Sequence, residues 1–194
     1  MSTAMRTARD GAHALREALT AEGGTVAAHL AEPPADRQAL DRPGPAQVAA
    51  AGPRTRGNER KYELLVEMIL EGYRLHYDEP VVVCPEDPDL ALLLGDQLYA
   101  LGLAHLAELG DLEAVAELAD VISLAAQAHS ASDADLARAV WEAGAVSVGW
   151  GPSDAHRLAK TRARVHDLDA GPALRAAGMA ARGNCDVRSK LKAT

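Results

Sequence analysis

The chain has 194 residues, 48% apolar and 3% aromatic, with no phenylalanine. A core must therefore be built from Leu, Val, Ile and Ala, which suits helix packed on helix and points to an all-α fold. Its formal charge of −8 is unevenly spread, with 8 basic and 7 acidic residues over 1–60, 3 and 17 over 61–145, and 9 and 4 over 146–194, and so acidic a centre excludes a nucleic-acid surface there.

Residues 1–57 are rich in Ala, Gly, Pro and Arg. With "AEPPADRQALDRPGPAQ" as their clearest low-complexity stretch, they read as a mostly disordered segment with room for a short helix between Arg6 and Leu19. A helical domain is expected over residues 58–152, with Asn58 as its first N-cap. In "ERKYELLVEMILEGYRLHY" the residues Tyr62, Leu65, Val66, Ile69 and Tyr73 recur at helical spacing, and Glu63, Glu67 and Glu71 form a stripe on another face. "DEP" (Asp78 to Pro80) ends this helix, and "VVVC" makes a short extended piece. Asp87 followed by Pro88 opens the next helix, "LALLLGDQLYALGLAHLAELGD", which Gly110 closes.

Asp111 caps a third helix, on which Leu112, Val115, Leu118, Ala119, Ile122 and His129 are expected to share a face. Ser132 and Asp135 open a fourth, with Leu136, Val140, Trp141, Gly144 and Val148 inward. "GWGPSD" stops it, and Ser153 caps a basic helix, leaving His156 on the surface. Residues 153–194 read as that helix and a flexible tail. The expectation is a compact bundle or array of four or five helices, with a disordered N-terminal segment.

The run from Leu90 to Asp111 contains an unusual Gly-Asp step. A mid-helix glycine is about 0.5–1 kcal/mol worse than alanine, so close packing should offset it. Ala91, Gly95 and Gly102 share one side, which predicts a helix–helix approach against Tyr62–Tyr77. A helix apolar nearly all round reads as the centre of the bundle. Asp96 is then partly buried and needs a polar partner, for which Tyr73 and His76 are the candidates. Tyr73, His76, Gly95, Asp96 and Tyr99 form the expected binding constellation.

The order "LLVEMILEGYRLHYDEP", a spacer, then "LALLLGDQLYALGLAHLAELGD" resembles a segment of the trans-isoprenyl diphosphate synthase family over about residues 60–130. Those all-α proteins carry a DDxxD helix, a spacer, and a helix reading roughly LAGDxLxxxA. Here "EGYRLHYD" stands in place of DDxxD, without paired aspartates, and no second aspartate-rich motif follows. The pattern is closer to the non-catalytic component-one subunit of two-chain heptaprenyl diphosphate synthases. The resemblance implies a protein partner rather than catalysis.

HExxH, ExxH, Walker, GxGxxG and GxSxG patterns are absent from the sequence. His76 beside Asp78 and Glu79 reads as a solvated helix end rather than a metal site. Cys84 and Cys185 match no metal-ligand spacing and read as free thiols in a reducing compartment. The start of the chain lacks a hydrophobic signal core, and the apolar stretches are short and interrupted, so the expected setting is cytoplasmic with no membrane span. The expected function is that of a non-catalytic helical accessory protein, acting in a homo- or hetero-oligomer, with no catalytic residues, metal or cofactor. The alternatives are an enzyme holding Mg²⁺ and a phosphorylated isoprenoid substrate with Glu71, His76, Asp78 and Asp96, or a stand-alone homodimeric bundle. The enzyme requires at least three of those four side chains in one cavity.

Overall fold

The computed structural model describes residues 6–191, including the side chains of 6–183. Nine helices form among them: α1 (Ala8–Glu22), α2 (Gly24–Ala27), α3 (Pro45–Ala50), α4 (Glu59–Tyr77), α5 (Pro88–Glu108), α6 (Leu112–Ser130), α7 (Ala134–Trp150), α8 (Asp154–Arg164) and α9 (Ala170–Leu191). The all-α class is as expected, but four or five helices undercount it. The described residues hold no strand, only an isolated antiparallel bridge between Leu30 and Val83.

The N-terminal segment is folded, contrary to the disorder read from its composition. Thr7 and Asp10 cap α1 reciprocally, Thr7 N donating to Asp10 Oδ2 at 2.8 Å and Asp10 N to Thr7 Oγ1 at 3.2 Å. Ala8, Ala12, Leu15 and Leu19 of α1 are buried. Fully burying each of the two leucines contributes roughly 1.5–3 kcal/mol toward holding α1 on the bundle. The C-terminal expectation is corrected likewise, since Ala170, Leu174 and Ala177 of α9 are buried. The expected disorder of residues 1–5, and the Cys185 side chain, lie outside the described residues. Cys84 is an exposed free thiol.

The central element is α4, not the Leu-rich α5. Every residue of α4 from Leu65 to Leu75 is buried. One side of α4 faces a core built with α3, α6, α7, α8 and α9, where Leu118, Val121, Val140 and Trp141 meet Val66 and Ile69. The other side faces a second core in which Leu15 and Leu19 of α1, Val81 to Val83, and Leu94 and Leu98 of α5 meet Met68 and Leu75.

Between the cores runs a ladder of buried carboxylates. Glu63, Glu67 and Glu71 are all buried beneath α1 and α3. Glu63 pairs with Arg6 at 2.9 Å and accepts from Gln47 Nε2 at 3.1 Å. Glu67 and Glu71 share Arg74, whose Nη1 lies 2.8 and 2.9 Å from their carboxylates. Glu71 Oε1 also accepts the backbone N–H groups of Val81, Val82 and Val83 at 2.7, 2.6 and 2.9 Å. Burial raises the Glu67 carboxyl despite Arg74, and its Oε2 has no partner. Gly11 passes over this point, and a Cβ there would collide with the Gln47 amide and come within 3.1 Å of Glu67 Oε2.

Several sequence signals place the remaining helices. Asp87 caps α5 ahead of Pro88, Asp111 caps α6 through Ala114 N, and Ser153 caps α8 through His156 N. Asp111 is also a junction, accepting from Arg54 at 3.0 Å and from Tyr62 Oη at 2.6 Å. Asp133, not Ser132, caps α7, and Ser132 sits at φ 59. The expected face of α7 is buried, whereas that of α6 is rotated. Ala114, Leu118, Val121 and Ala125 turn inward, while Leu112 and Ala119 are exposed. Alanines on both sides of α6 blur its apolar stripe.

His156 is buried rather than on the surface. Its Nε2 lies 2.7 Å from Glu117 Oε1, while Lys160 Nζ donates to Glu117 Oε2 at 2.7 Å and to Asp120 at 2.8 Å. Burial alone would raise the Glu117 carboxyl, but His156 and Lys160 outweigh it and hold it low.

Two predictions test these charges. Glu71→Gln disturbs a carboxylate that satisfies four donors and should cost about 3–5 kcal/mol, whereas Glu67→Gln should leave stability nearly unchanged, both read by urea unfolding near neutral pH. The depressed Glu117 carboxyl stabilises the fold above its ordinary value of 4.5, and that contribution fades as pH falls through the lower folded-state value. Thermal melts across that range should therefore show a shallower acid loss for Glu117→Gln than for the parent chain.

Candidate functional site

The Gly-Asp step lies where α5 crosses α4. Gly95 and Gly102 both face α4, as expected. A Cβ on Gly95 would stand 2.7 Å from the His76 ring and 3.1 Å from Gly72 O, and one on Gly72 would stand 2.8 Å from Gly95 O. A Cβ on Gly102 would press into Ile69 and lie 3.2 Å from Leu65 O. The glycines thus let two helix backbones touch along a seam.

Asp96 is a partial correction. Its Oδ1 lies 3.2 Å from His76 Nε2, which is the expected partner, but its side chain is 71% exposed. The contact lacks hydrogen-bond geometry, leaving the buried His76 Nε2 without an acceptor. The His76 ring instead stacks on Tyr99, with centroids 5.4 Å apart and planes 2° from parallel. Burial pushes the Tyr99 phenol above its ordinary range, and its hydroxyl has no partner. His76, Gly95, Asp96 and Tyr99 therefore come together.

Tyr73 does not join them. It lies three residues before His76 on α4 and faces α6 and α7. Its hydroxyl lies 2.7 Å from His129 Nε2, and its ring packs against Trp141 with centroids 5.3 Å apart. Tyr77 links the two groups, stacking on His129 at 4.7 Å and lying 5.6 Å from His76. Tyr77, His129 and Trp141 were not part of the expected constellation. Tyr73 and Tyr77 at i, i+4 were its one local signal.

The four acidic and histidine groups of the enzyme alternative lie in different places. Glu71 is consumed by Arg74 and the Val81–Val83 backbone. His76 and Asp96 sit at the α5 crossing, and Asp78 lies 4.0 Å from Arg37. Among the described residues no group of three His, Cys, Asp or Glu side chains is arranged to hold a metal ion.

The outer side of α5 is open. Leu92 and Leu93 near its start are 45% and 65% exposed, and Leu109 and Leu112 are exposed at the turn into α6. By length and composition α5 is apolar enough to cross a membrane, yet only 28% of its apolar window is buried. Asp96 and Gln97 interrupt the exposed face. No protein-family model matches the chain, and no curated protein or solved structure matches it.

The crossing yields a paired prediction. Gly95→Leu should destabilise the chain by about 1–3 kcal/mol, because Gly72 O and the stacked His76 ring leave no room. Asp96→Ala should shift stability by less than about 0.5 kcal/mol, since an exposed charge contact contributes little. Thermal unfolding of both variants checks the contrast.

Proposed function

We propose that this chain is a non-catalytic helical partner protein that docks another helical chain on the outer face of α5. The supporting observation is a helix with one glycine-lined side pressed onto α4 and its opposite, leucine-bearing side exposed. Exposed leucines on a helix that is otherwise packed onto the bundle mark a candidate interaction site. Asp96 and Gln97 on that face favour a protein partner over lipid, where a mid-helix carboxylate is expensive. The scatter of Glu71, His76, Asp78 and Asp96 supports a role without metal-assisted phosphate chemistry. The resemblance of residues 60–130 makes the catalytic chain of a prenyl diphosphate synthase the first partner to test.

Leu92 and Leu93 are exposed, so Leu92→Glu/Leu93→Glu should leave folding intact while opposing docking. The tagged chain is expected to copurify a prenyl diphosphate synthase chain from its native host, and the double variant is expected to lose it. Retention by the folded variant would refute the role of this face. Elongation of an allylic diphosphate by the purified chain alone would refute the non-catalytic reading. A mass that doubles with concentration in sedimentation, and is restored to a monomer by the double variant, would replace the foreign partner with a second copy.

A further inference from the structure

On the side of α4 turned toward α7 lie two adjoining cavities of about 740 and 490 Å³. They share Ala39, Gly44, Pro45, Arg138 and Trp141 as common walls. From these observations we infer that the combined groove binds a small organic anion, its charged end held by Arg42 and Arg138 and its apolar body lying along Pro45, Val48 and Trp141. Volumes of this order match small-molecule sites.

Charge carries the argument first. Residues 61–145 hold 3 basic side chains against 17 acidic ones. Two of those three, Arg74 and Arg138, line the groove. Arg74 is spent on Glu67 and Glu71. Arg138 has only a loose contact with exposed Asp135 at 3.5 Å. The segment before α3 brings Arg42 to the same cavity, and α9 brings Arg182. Glu142 is the acidic residue lining the larger cavity and lies 3.5 Å from Arg175, while Asp78 lines the smaller one and lies 4.0 Å from Arg37. The fold thus gathers cations from three distant segments at one concavity in an acidic protein.

The shape of the wall supplies the rest. Trp141 is buried, and its indole N–H has no acceptor. A buried indole N–H normally finds one. An anionic ligand is rich in acceptors and poor in donors, so it complements both this group and the guanidinium rim. Pro45, Val48 and Ala145 offer apolar contact around it. The hydrogen bond between Tyr73 and His129 holds the aromatic floor behind Trp141.

The test uses 8-anilinonaphthalene-1-sulfonate and its uncharged counterpart N-phenyl-1-naphthylamine as probes. In a Trp150→Phe background, Trp141 is the remaining tryptophan, and its indole N–H resonance reports on the groove. The sulfonate probe is expected to shift that resonance and saturate at one equivalent. The uncharged probe is expected to bind at least about tenfold more weakly, the loss of a charge-assisted contact. Arg42→Gln/Arg138→Gln is expected to remove that preference, while Arg42→Lys/Arg138→Lys keeps most of it. Both arginines are exposed, so an unchanged melting temperature separates lost binding from lost folding. A silent Trp141 resonance, equal affinity for the two probes, or a preference that survives in the folded double glutamine variant would overturn the inference. None of these outcomes depends on the α5 face.

Discussion

A single carboxylate fixes how the chain returns after its central helix. Glu71 takes three consecutive backbone N–H groups on one oxygen and Arg74 on the other. Three amide donors aimed at one acceptor form a cradle that suits an anion. Here the anion is internal, and it pins Val81 to Val83 against α4. Val82 and Val83 then meet the N-terminal segment, where Ala31 N donates to Val82 O at 2.8 Å and Cys84 N to His29 O at 2.9 Å. The α5 helix starts a few residues later from a fixed point.

That arrangement explains how the middle of α4 can be buried although it carries Glu63, Glu67 and Glu71. A lone buried carboxylate costs several kcal/mol, so each needs a donor supplied at close range. Arg6, Gln47, Arg74 and the Val81–Val83 amides come from four separate stretches, and only one packing brings them together. Oily surface alone would let α1 slide along α4. The hydrogen-bonded ladder instead gives that packing a register, with Gly11 placed where any side chain would strike Gln47.

Local chemistry was legible from the sequence, while partnering across long separations was not. The caps at Asp87, Asp111 and Ser153 follow from residue type and spacing, as does the approach of Gly95 and Gly102 to α4. Asp96 found its foreseen neighbour His76, but the helix turns the carboxylate outward while the histidine remains inside. The Leu-rich α5 looked like the centre because hydropathy does not say which side is covered. The glutamates of α4 looked peripheral because, apart from Arg74 on the same helix, their partners are Arg6, 57 residues from Glu63, Gln47 and backbone amides, which no sequence pattern displays. Alanine, glycine and proline before residue 58 looked like disorder. In place, the small residues of α1 are what let its backbone lie close to the ladder.

The uneven charge along the chain acquires a meaning in three dimensions. Part of the acidic centre is paired by the segments that flank it: Arg6 serves Glu63, Arg54 serves Asp111, Lys160 and Arg164 serve Asp120, and Arg175 serves Asp135. These flanking cations are therefore counter-ions, which gives the described parts of both flanks an electrostatic reason to pack on the bundle. Exposed pairs of this sort contribute little singly, but those to Glu63 and Glu117 reach into the interior, where an unmatched carboxylate is penalised. Among the cations that serve no buried carboxylate, Arg42 and Arg138 are set apart by their place on the wall of a cavity. Arg138 faces only an exposed neighbour on its own helix, and Arg42 makes no ion pair among the described residues. Cations placed beside an aromatic concavity, and not needed to balance the interior, offer a negative ligand attraction in a molecule that is acidic as a whole.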